Sequence, residues 1–156
     1  MFGTTRERFT AYVVFVGADH RRWWRFATRR GWRHCFVILP AVGLPASLLG
    51  SGTSIVLNPT VSHLSVQAFG RFPRDVAREA LRDGATCVVR CRVDHAPTGE
   101  YVPRGPLSCV SVTKAALGIR AWWVVTPEQL ARLLVRMGGD LVECDRGKPV
   151  LETERA

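Results

Sequence analysis

No hydrophobic run in the 156-residue sequence approaches the roughly 20 residues that a membrane-spanning helix needs. The N-terminus also lacks the apolar core and the small-residue cleavage site of a secretory signal peptide. Both absences favour a protein that stays in the compartment where it is made. We therefore expect a cytoplasmic protein with no secretory signal and no transmembrane segment. Its hydrophobic content of 47% is enough for one domain with a buried core.

The sequence also lacks a disulfide framework, because its five cysteines are odd in number and scattered, which favours a reducing compartment. Cys87, Cys91 and His95 have a C-x3-C-x3-H spacing. Residues four apart on a strand share one face, so we interpret the two cysteines as core residues rather than zinc ligands. We also interpret Cys35 as a core residue, because its side chain points to the sheet face opposite to that of His34. No glycine-rich phosphate loop is present in the sequence, and we expect neither a metal ion nor a cofactor.

Lysine is nearly absent, since only Lys114 and Lys148 are lysines among 22 cationic residues, and the formal net charge is +9. This arginine bias is typical of a GC-rich genome and also of a surface for anionic partners. Residues 1–33 form a basic, Trp-rich N-terminal part, and its stretch RRWWRFATRRGWR carries six arginines: Arg21, Arg22, Arg25, Arg29, Arg30 and Arg33. Either the aromatic residues pack on a sheet while the arginines reach into water, or this face binds nucleic acid, anionic lipid or another protein.

The pattern of apolar and turn-forming residues predicts a single α+β domain over residues 1–156. Strands are expected at 10–16, 34–40, 54–58 (continued at 63–69 after an interruption by Pro59) and 86–93, with an extended segment at 121–125 and a weak strand within the polar C-terminal part, 141–156. Helices are expected at about 21–28, at 73–83, from Cys109 to 117 and from Pro127 to 137. We expect an antiparallel sheet that packs against the helix carrying Cys109.

The stretch RGPLSCVSVTK, residues 104–114, places a cysteine where a loop becomes a helix. Ser108 is a suitable N-cap for a helix that begins at Cys109. A cysteine in this position is often a small packing residue. It is also where the positive end of the helix dipole stabilises a thiolate, the reactive form of cysteine. A thiolate nucleophile needs a base within hydrogen-bonding reach and a third group that orients the base.

Among the four histidines, His34 is the one that begins an apolar strand, where a polar ring must lie at the end of the sheet or be hydrogen-bonded. If strands 34–40 and 54–58 form an antiparallel hairpin, the start of the first lies beside the end of the second. A register centred on residue 46 pairs His34 with Asn58, whose side-chain oxygen can accept the Nδ1–H of the ring. Spacing alone does not bring Cys109 to this pair, and a structural histidine is the alternative.

Four segments of the chain together resemble a known family: RHCFVILP, LNPTVSHLSV, GPLSCVSVTKAALGI and TPEQLARLL. They are similar to a group of small papain-like proteins found in bacterial and phage genomes. In that group a histidine opens a strand, the next strand ends in Asp-Pro or Asn-Pro, and a cysteine in a GPxxCVxxVK context begins a helix. The order of histidine before cysteine is that of circularly permuted papain-like enzymes, which include NlpC-like and lecithin:retinol-acyltransferase-like proteins. The resemblance extends from about Trp32 to Leu134.

The resemblance implies a cysteine hydrolase that transfers acyl groups. Cys109 takes the place of the nucleophile, His34 that of the base, and Asn58 that of the orienting residue, where an acid is common in such enzymes. The implied substrates are peptides or amides, including peptidoglycan, and the phage context implies a virion component that acts on the host cell envelope. The alternative is a catalytically inactive papain-like scaffold whose arginine-rich face binds nucleic acid or virion proteins.

Overall fold

The computed structural model describes residues 8–17, 32–41, 52–60, 63–94 and 108–144. This part of the chain contains six strands: β1 (Arg8–Val16), β2 (His34–Pro40), β3 (Ser54–Pro59), β4 (Leu64–Phe69), β5 (Cys87–Asp94) and β6 (Asp140–Cys144). It also contains three helices: α1 (Pro73–Arg82), α2 (Cys109–Ala116) and α3 (Pro127–Arg136).

All six strands belong to one antiparallel sheet with the order β4-β3-β2-β1-β5-β6. The helices cover both faces: α2 and α3 lie on one face, and α1 lies on the other. The predicted α+β class is confirmed, and so is the predicted packing of an antiparallel sheet against the helix that carries Cys109. Within the described ranges, no helix combines the length and the apolar character needed to cross a lipid bilayer.

The sequence of β1 explains its central place in the sheet. From Ala11 to Phe15 every side chain is buried, because α2 and α3 cover one face of the sheet and α1 covers the other. A strand covered on both faces needs a continuous apolar run instead of alternation, and AYVVF supplies it. The ring of Trp32 packs on Phe15 with the ring centroids 5.3 Å apart. This member of the N-terminal aromatic stretch is therefore a core residue.

Each face of the sheet has its own apolar cluster. On one face, Val110 of α2 and Leu130 of α3 are almost completely buried against the sheet. On the other face, Val76 and Ala77 of α1 make the equivalent contact. Full burial of a valine or leucine side chain stabilises the fold by about 1.5–3 kcal/mol. Packing on the sheet thus holds α2, and the cysteine at its start, in a fixed position.

The segment after β3 differs from the prediction. We expected Pro59 to interrupt one strand that continues at 63–69, but β3 and β4 are separate strands that pair with each other in antiparallel orientation. The N–H of Thr60 donates to the carbonyl oxygen of His63 at 2.8 Å, and the chain reverses there. Since the ring of proline cannot donate to a strand ladder, Pro59 is a natural place for β3 to end.

Residues 121–125 also differ from the prediction, because they form a turn rather than an extended segment. The physical cause is the buried side chain of Lys114. Its Nζ donates to the carbonyl oxygens of Ala121 at 2.8 Å and Val124 at 2.7 Å, and the segment bends around the ammonium group. In an extended strand, carbonyl groups three residues apart point to opposite sides and could not both reach one cation.

Several predicted features lie outside the described residues. They are the helix at 21–28, His95, the polar C-terminal part beyond Cys144, and five residues of the arginine-rich face: Arg21, Arg22, Arg25, Arg29 and Arg30. Arg33 is described and half-buried, and its backbone N–H donates to the carbonyl oxygen of Val16 at 3.1 Å. This hydrogen bond fixes the entry of the chain into β2.

Candidate active site

Cys109 is the first residue of α2, as predicted, and two serines fix this end of the helix. Oγ of Ser108 accepts a hydrogen bond from the N–H of Ser111 at 3.0 Å, and the N–H of Ser108 donates to Oγ of Ser111 at 2.8 Å. The predicted N-cap is confirmed and forms part of a reciprocal capping box. The first turn of α2 has no acidic side chain. No carboxylate of that turn therefore offsets the positive potential of the helix end at the thiol.

His34 and Asn58 meet at the end of the sheet. Nε2 of His34 donates a hydrogen bond of 2.7 Å to Oδ1 of Asn58, since an amide oxygen can only accept. The expected register was one position in error: Val37 pairs with Leu57, so the hairpin is centred on residue 47 rather than 46. Asn58 therefore lies across from Phe36, and His34 reaches it diagonally on the same face of the sheet.

The hydrogen bond to Asn58 also decides which nitrogen of His34 carries the proton. We expected Asn58 to accept from Nδ1, but it accepts from Nε2. A neutral ring with its proton on Nε2 has its basic lone pair on Nδ1. Nδ1 is then the nitrogen that a neighbouring thiol can protonate.

The surroundings of Cys109 favour a thiolate. A hydrogen bond with the Cys35 thiol is the largest influence that lowers the pKa of Cys109, and a hydrogen bond with His34 and the charge of its ring lower that pKa further. Burial acts in the opposite sense, because a charged sulfur loses hydration. Together these influences lower the pKa of Cys109 from 9.0 to about 4. The structure thus joins His34 to Asn58 by a hydrogen bond, and the ring of His34 is among the causes of the lowered pKa of Cys109.

Cys35 belongs to this site as well, which the sequence interpretation missed. Its side chain is completely buried in the apolar cluster of the sheet face that α2 covers, so the core interpretation is confirmed. On that face, however, it also lies in the cluster against which Cys109 packs. Sγ of Cys35 lies 3.8 Å from Oγ1 of Thr113, one turn further along α2. The hydrogen bond with Cys109, together with burial, raises the pKa of Cys35 well above its ordinary value.

The cysteines of β5 behave differently from Cys109. Cys87 and Cys91 lie in the apolar cluster beneath α2 and α3, which confirms their interpretation as core residues. Burial, and to a smaller extent the charge of Asp140, raises the pKa of Cys91 to about 12. Its thiol therefore stays protonated near neutral pH. No group of three His, Cys, Asp or Glu side chains within the described residues could hold a metal ion.

The arrangement contains the parts that acyl transfer requires. Cys109 supplies a half-exposed thiolate, His34 can carry its proton, and Asn58 orients the imidazole ring. The N–H of Ser111 in the first turn of α2 already donates to Oγ of Ser108, whereas the N–H groups of Cys109 and Val110 have no acceptor within the helix. They are therefore suited to stabilise an oxyanion that forms on a carbonyl bound to Sγ of Cys109.

Comparison with family models, with curated proteins and with solved structures finds no significant match to this chain. The function of the site therefore has to be argued from its geometry and from the motifs that surround it.

Proposed function

We propose that the protein is a thiol-dependent acyl-transfer hydrolase of the peptidase or amidase type, with Cys109 as nucleophile, His34 as base and Asn58 as orienting residue. One observation carries the proposal: His34 and Asn58 are joined by a hydrogen bond at the ends of β2 and β3, and the ring of His34 acts on the thiol of Cys109 at the start of α2. Nε2 of His34 is hydrogen-bonded to Oδ1 of Asn58 at 2.7 Å, and the same ring lowers the pKa of Cys109. A cysteine that serves only as a packing residue does not require a neighbouring imidazole whose orientation is fixed by an amide.

In the first half of the reaction, the Cys109 thiolate attacks the carbonyl carbon of an amide or ester. The backbone N–H of Cys109, together with a neighbouring donor, stabilises the negative charge that develops on the carbonyl oxygen. His34 holds the proton that the thiol released, and gives it to the leaving amine or alcohol. The carbon–leaving group bond breaks, and an S-acyl group remains on Cys109.

In the second half, His34 removes a proton from a water molecule, and the resulting hydroxide attacks the thioester carbon. The carbon–sulfur bond breaks, the acid leaves, and Cys109 returns to the thiolate with the proton on His34. Asn58 accepts from Nε2 throughout, so the ring keeps one orientation while Nδ1 gains and loses the proton. Without this restraint the ring could rotate between the two halves of the reaction.

The substrate class is drawn from the motifs around Cys109 and His34 that resemble permuted papain-like proteins. They support a peptide or amide substrate, with peptidoglycan as the specific candidate. The same resemblance supports a phage origin, in which the chain is a virion component that acts on the host cell envelope. The geometry of the site favours no particular acyl group.

The proposal is tested with p-nitrophenyl acetate, an activated ester that acetylates nucleophilic thiols. The wild-type chain should release a burst of p-nitrophenol and gain one acetyl group, located on Cys109 by peptide mapping. His34→Ala should slow the burst by about a hundredfold or more, because the nucleophile loses its base. His63→Ala is the matched control and should have no effect, since this exposed histidine contacts Thr60 instead.

Purified peptidoglycan and a set of peptide amides then define the substrate, with Cys109→Ala as the inactive variant. Acetylation of a different cysteine, or a burst that does not depend on His34, contradicts the proposed function. An inactive scaffold whose arginine-rich face binds nucleic acid or virion proteins would then be the better account.

A further inference from the structure

We propose that Cys35 and Cys109 form a reversible disulfide when the protein meets a hydroperoxide. Cys109 is the thiol that is oxidised first, and Cys35 is the thiol that resolves the oxidised form. The proposal stands on the packing of the two side chains where β2 meets α2: Cys35 lies in the apolar cluster of that sheet face, and Cys109 packs against the same cluster. It goes beyond acyl transfer and does not require a substrate.

The position of Cys35 beneath the first turns of α2 rests on two observations. Its side chain is completely buried and belongs to the cluster against which Cys109 packs. Its Sγ lies 3.8 Å from Oγ1 of Thr113, and Thr113 follows Cys109 by four residues and so shares a face of the helix with it. A disulfide requires two Cβ atoms within about 4.5 Å of each other, so two cysteines that face each other between β2 and α2 are the pair to test.

The other described cysteines lie far from Cys35 in the sheet. Phe15 of β1 pairs with Cys35 of β2 on one side and with Cys87 of β5 on the other. Two strand spacings, about 10 Å, therefore separate Cys35 from Cys87. The remaining described cysteines lie farther still from Cys35: Cys91 and Cys144.

Cys109 reacts first because it is partly exposed, whereas Cys35 is completely buried. The thiolate attacks one oxygen of the hydroperoxide, the O–O bond breaks, and Cys109 becomes a sulfenic acid. The leaving hydroxide or alkoxide takes up the proton that Cys109 had released. The Cys35 sulfur then attacks the Cys109 sulfur, an S–S bond forms, and the S–O bond breaks with loss of water that carries the Cys35 proton. Two thiols are oxidised, and one hydroperoxide is reduced.

Oxidation of Cys109 also removes the negative charge that keeps the Cys35 thiol protonated. The hydrogen bond and the charge of Cys109 both raise the pKa of Cys35, but a sulfenic acid is neutral and no longer exerts this charge. Cys35 is therefore more nucleophilic once Cys109 has been oxidised, although burial continues to raise its pKa. The closed disulfide removes the thiolate and protects Cys109 from further, irreversible oxidation. A thiol reductant restores both cysteines.

The test treats the full chain with an equimolar amount of hydrogen peroxide, then unfolds it and alkylates it with iodoacetamide. We expect the loss of two of the five alkylatable thiols and a mass lower by two hydrogen atoms before alkylation. We also expect a cross-link, sensitive to dithiothreitol, between the peptides that contain Cys35 and Cys109. Three results overturn the proposal: oxidised Cys109 with Cys35 still alkylated, a cross-link through another cysteine, or no oxidation of Cys109.

Two serine variants sharpen the test. In Cys35→Ser the sulfenic acid has no resolving thiol, so dimedone should label Cys109 after peroxide treatment, and this label should be largely lost in the wild type. Cys91→Ser also replaces a buried cysteine, but away from the site, and should form the same cross-link as the wild type. Circular dichroism identifies a variant that fails to fold. If a variant does fail, the peptide map of the oxidised wild-type chain still shows whether Cys35 and Cys109 are cross-linked. Because the cross-link needs no substrate, its outcome is independent of the p-nitrophenol burst.

Discussion

Nε2 of His34 lies 2.7 Å from Oδ1 of Asn58, although 24 residues separate them in the sequence. The two side chains come from neighbouring antiparallel strands, β2 and β3. Cys109 approaches from a third element, at the start of α2, and the same ring lowers its pKa. His34 is therefore oriented by an amide while it contacts a thiol whose pKa is low. The proposed chemistry follows from this combination.

The contribution of Asn58 is tested by two replacements. Asn58→Ala should slow acetylation of Cys109 by about tenfold to a hundredfold, because the imidazole loses the acceptor that holds it in position. Asn58→Asp should retain most of the rate, since a carboxylate accepts the same hydrogen bond more strongly. Burst kinetics with p-nitrophenyl acetate measure the difference.

Ser65→Ala is the matched control for the Asn58 variants. Ser65 lies opposite Asn58 on β4, so this variant changes the same region of the sheet without removing the acceptor of His34. It should acetylate at the wild-type rate. A wild-type rate in Asn58→Ala as well, in a protein with unchanged circular dichroism, would show that Asn58 does not orient the base.

Removal of the Cys35 thiol should change the pH dependence of Cys109. The hydrogen bond with Cys35 is the largest influence that lowers the pKa of Cys109, so Cys35→Ala should raise that pKa. A higher pKa leaves less thiolate at low pH. Alkylation of Cys109 should therefore slow near about pH 5 and stay close to the wild-type rate near about pH 9. An unchanged dependence of the Cys109 alkylation rate on pH would mean that Cys35 is only a packing residue.

Lys114 should contribute to stability through the turn at 121–125. Lys114→Met keeps the apolar stem but leaves the carbonyl groups of Ala121 and Val124 without their donor. Both residues are buried, and an unsatisfied buried acceptor costs about 1–3 kcal/mol, so the free energy of unfolding should fall by about 2–4 kcal/mol. Urea denaturation monitored by circular dichroism measures the loss.

An exposed ion pair serves as the control for Lys114. Arg132→Met removes the contact of Arg132 Nη2 with Glu128 Oε1 at 2.9 Å on the surface of α3. Exposed pairs of this kind contribute less than about 1 kcal/mol, so the free energy of unfolding should hardly change. Equal effects of the two replacements would contradict the structural role assigned to Lys114.

Much of the site can be predicted from local sequence signals. HCFVILP is an apolar run bounded by His34 and Pro40, and β2 has these two ends. Ser108 is a strong N-cap, and α2 begins directly after it. The prediction that His34 contacts Asn58 holds although the predicted centre of the hairpin is wrong by one position. Asn58 is then a diagonal neighbour of His34 on the same face of the sheet, which is still within reach.

Other features depend on contacts between distant segments and leave no local signal. The turn at 121–125 exists because Lys114 binds two of its neighbouring carbonyl groups, while the local composition, rich in Trp and Val, favours a strand. Cys35 was correctly assigned to the core by strand alternation. That alternation does not reveal which helix covers the face, and so it could not indicate the contact with Cys109.

The most direct measurement is the rate at which iodoacetamide labels each cysteine as a function of pH, in the wild type, His34→Ala and His63→Ala. Cys109 should label fastest of the five cysteines near neutral pH. Its rate should be nearly constant from about pH 6 to pH 8, because its pKa is lowered to about 4, whereas a free thiol titrates at about pH 8.5. His34→Ala should slow the labelling and move the profile to higher pH, and His63→Ala should do neither. An inert Cys109, or a rate that is the same with and without His34, would contradict the account.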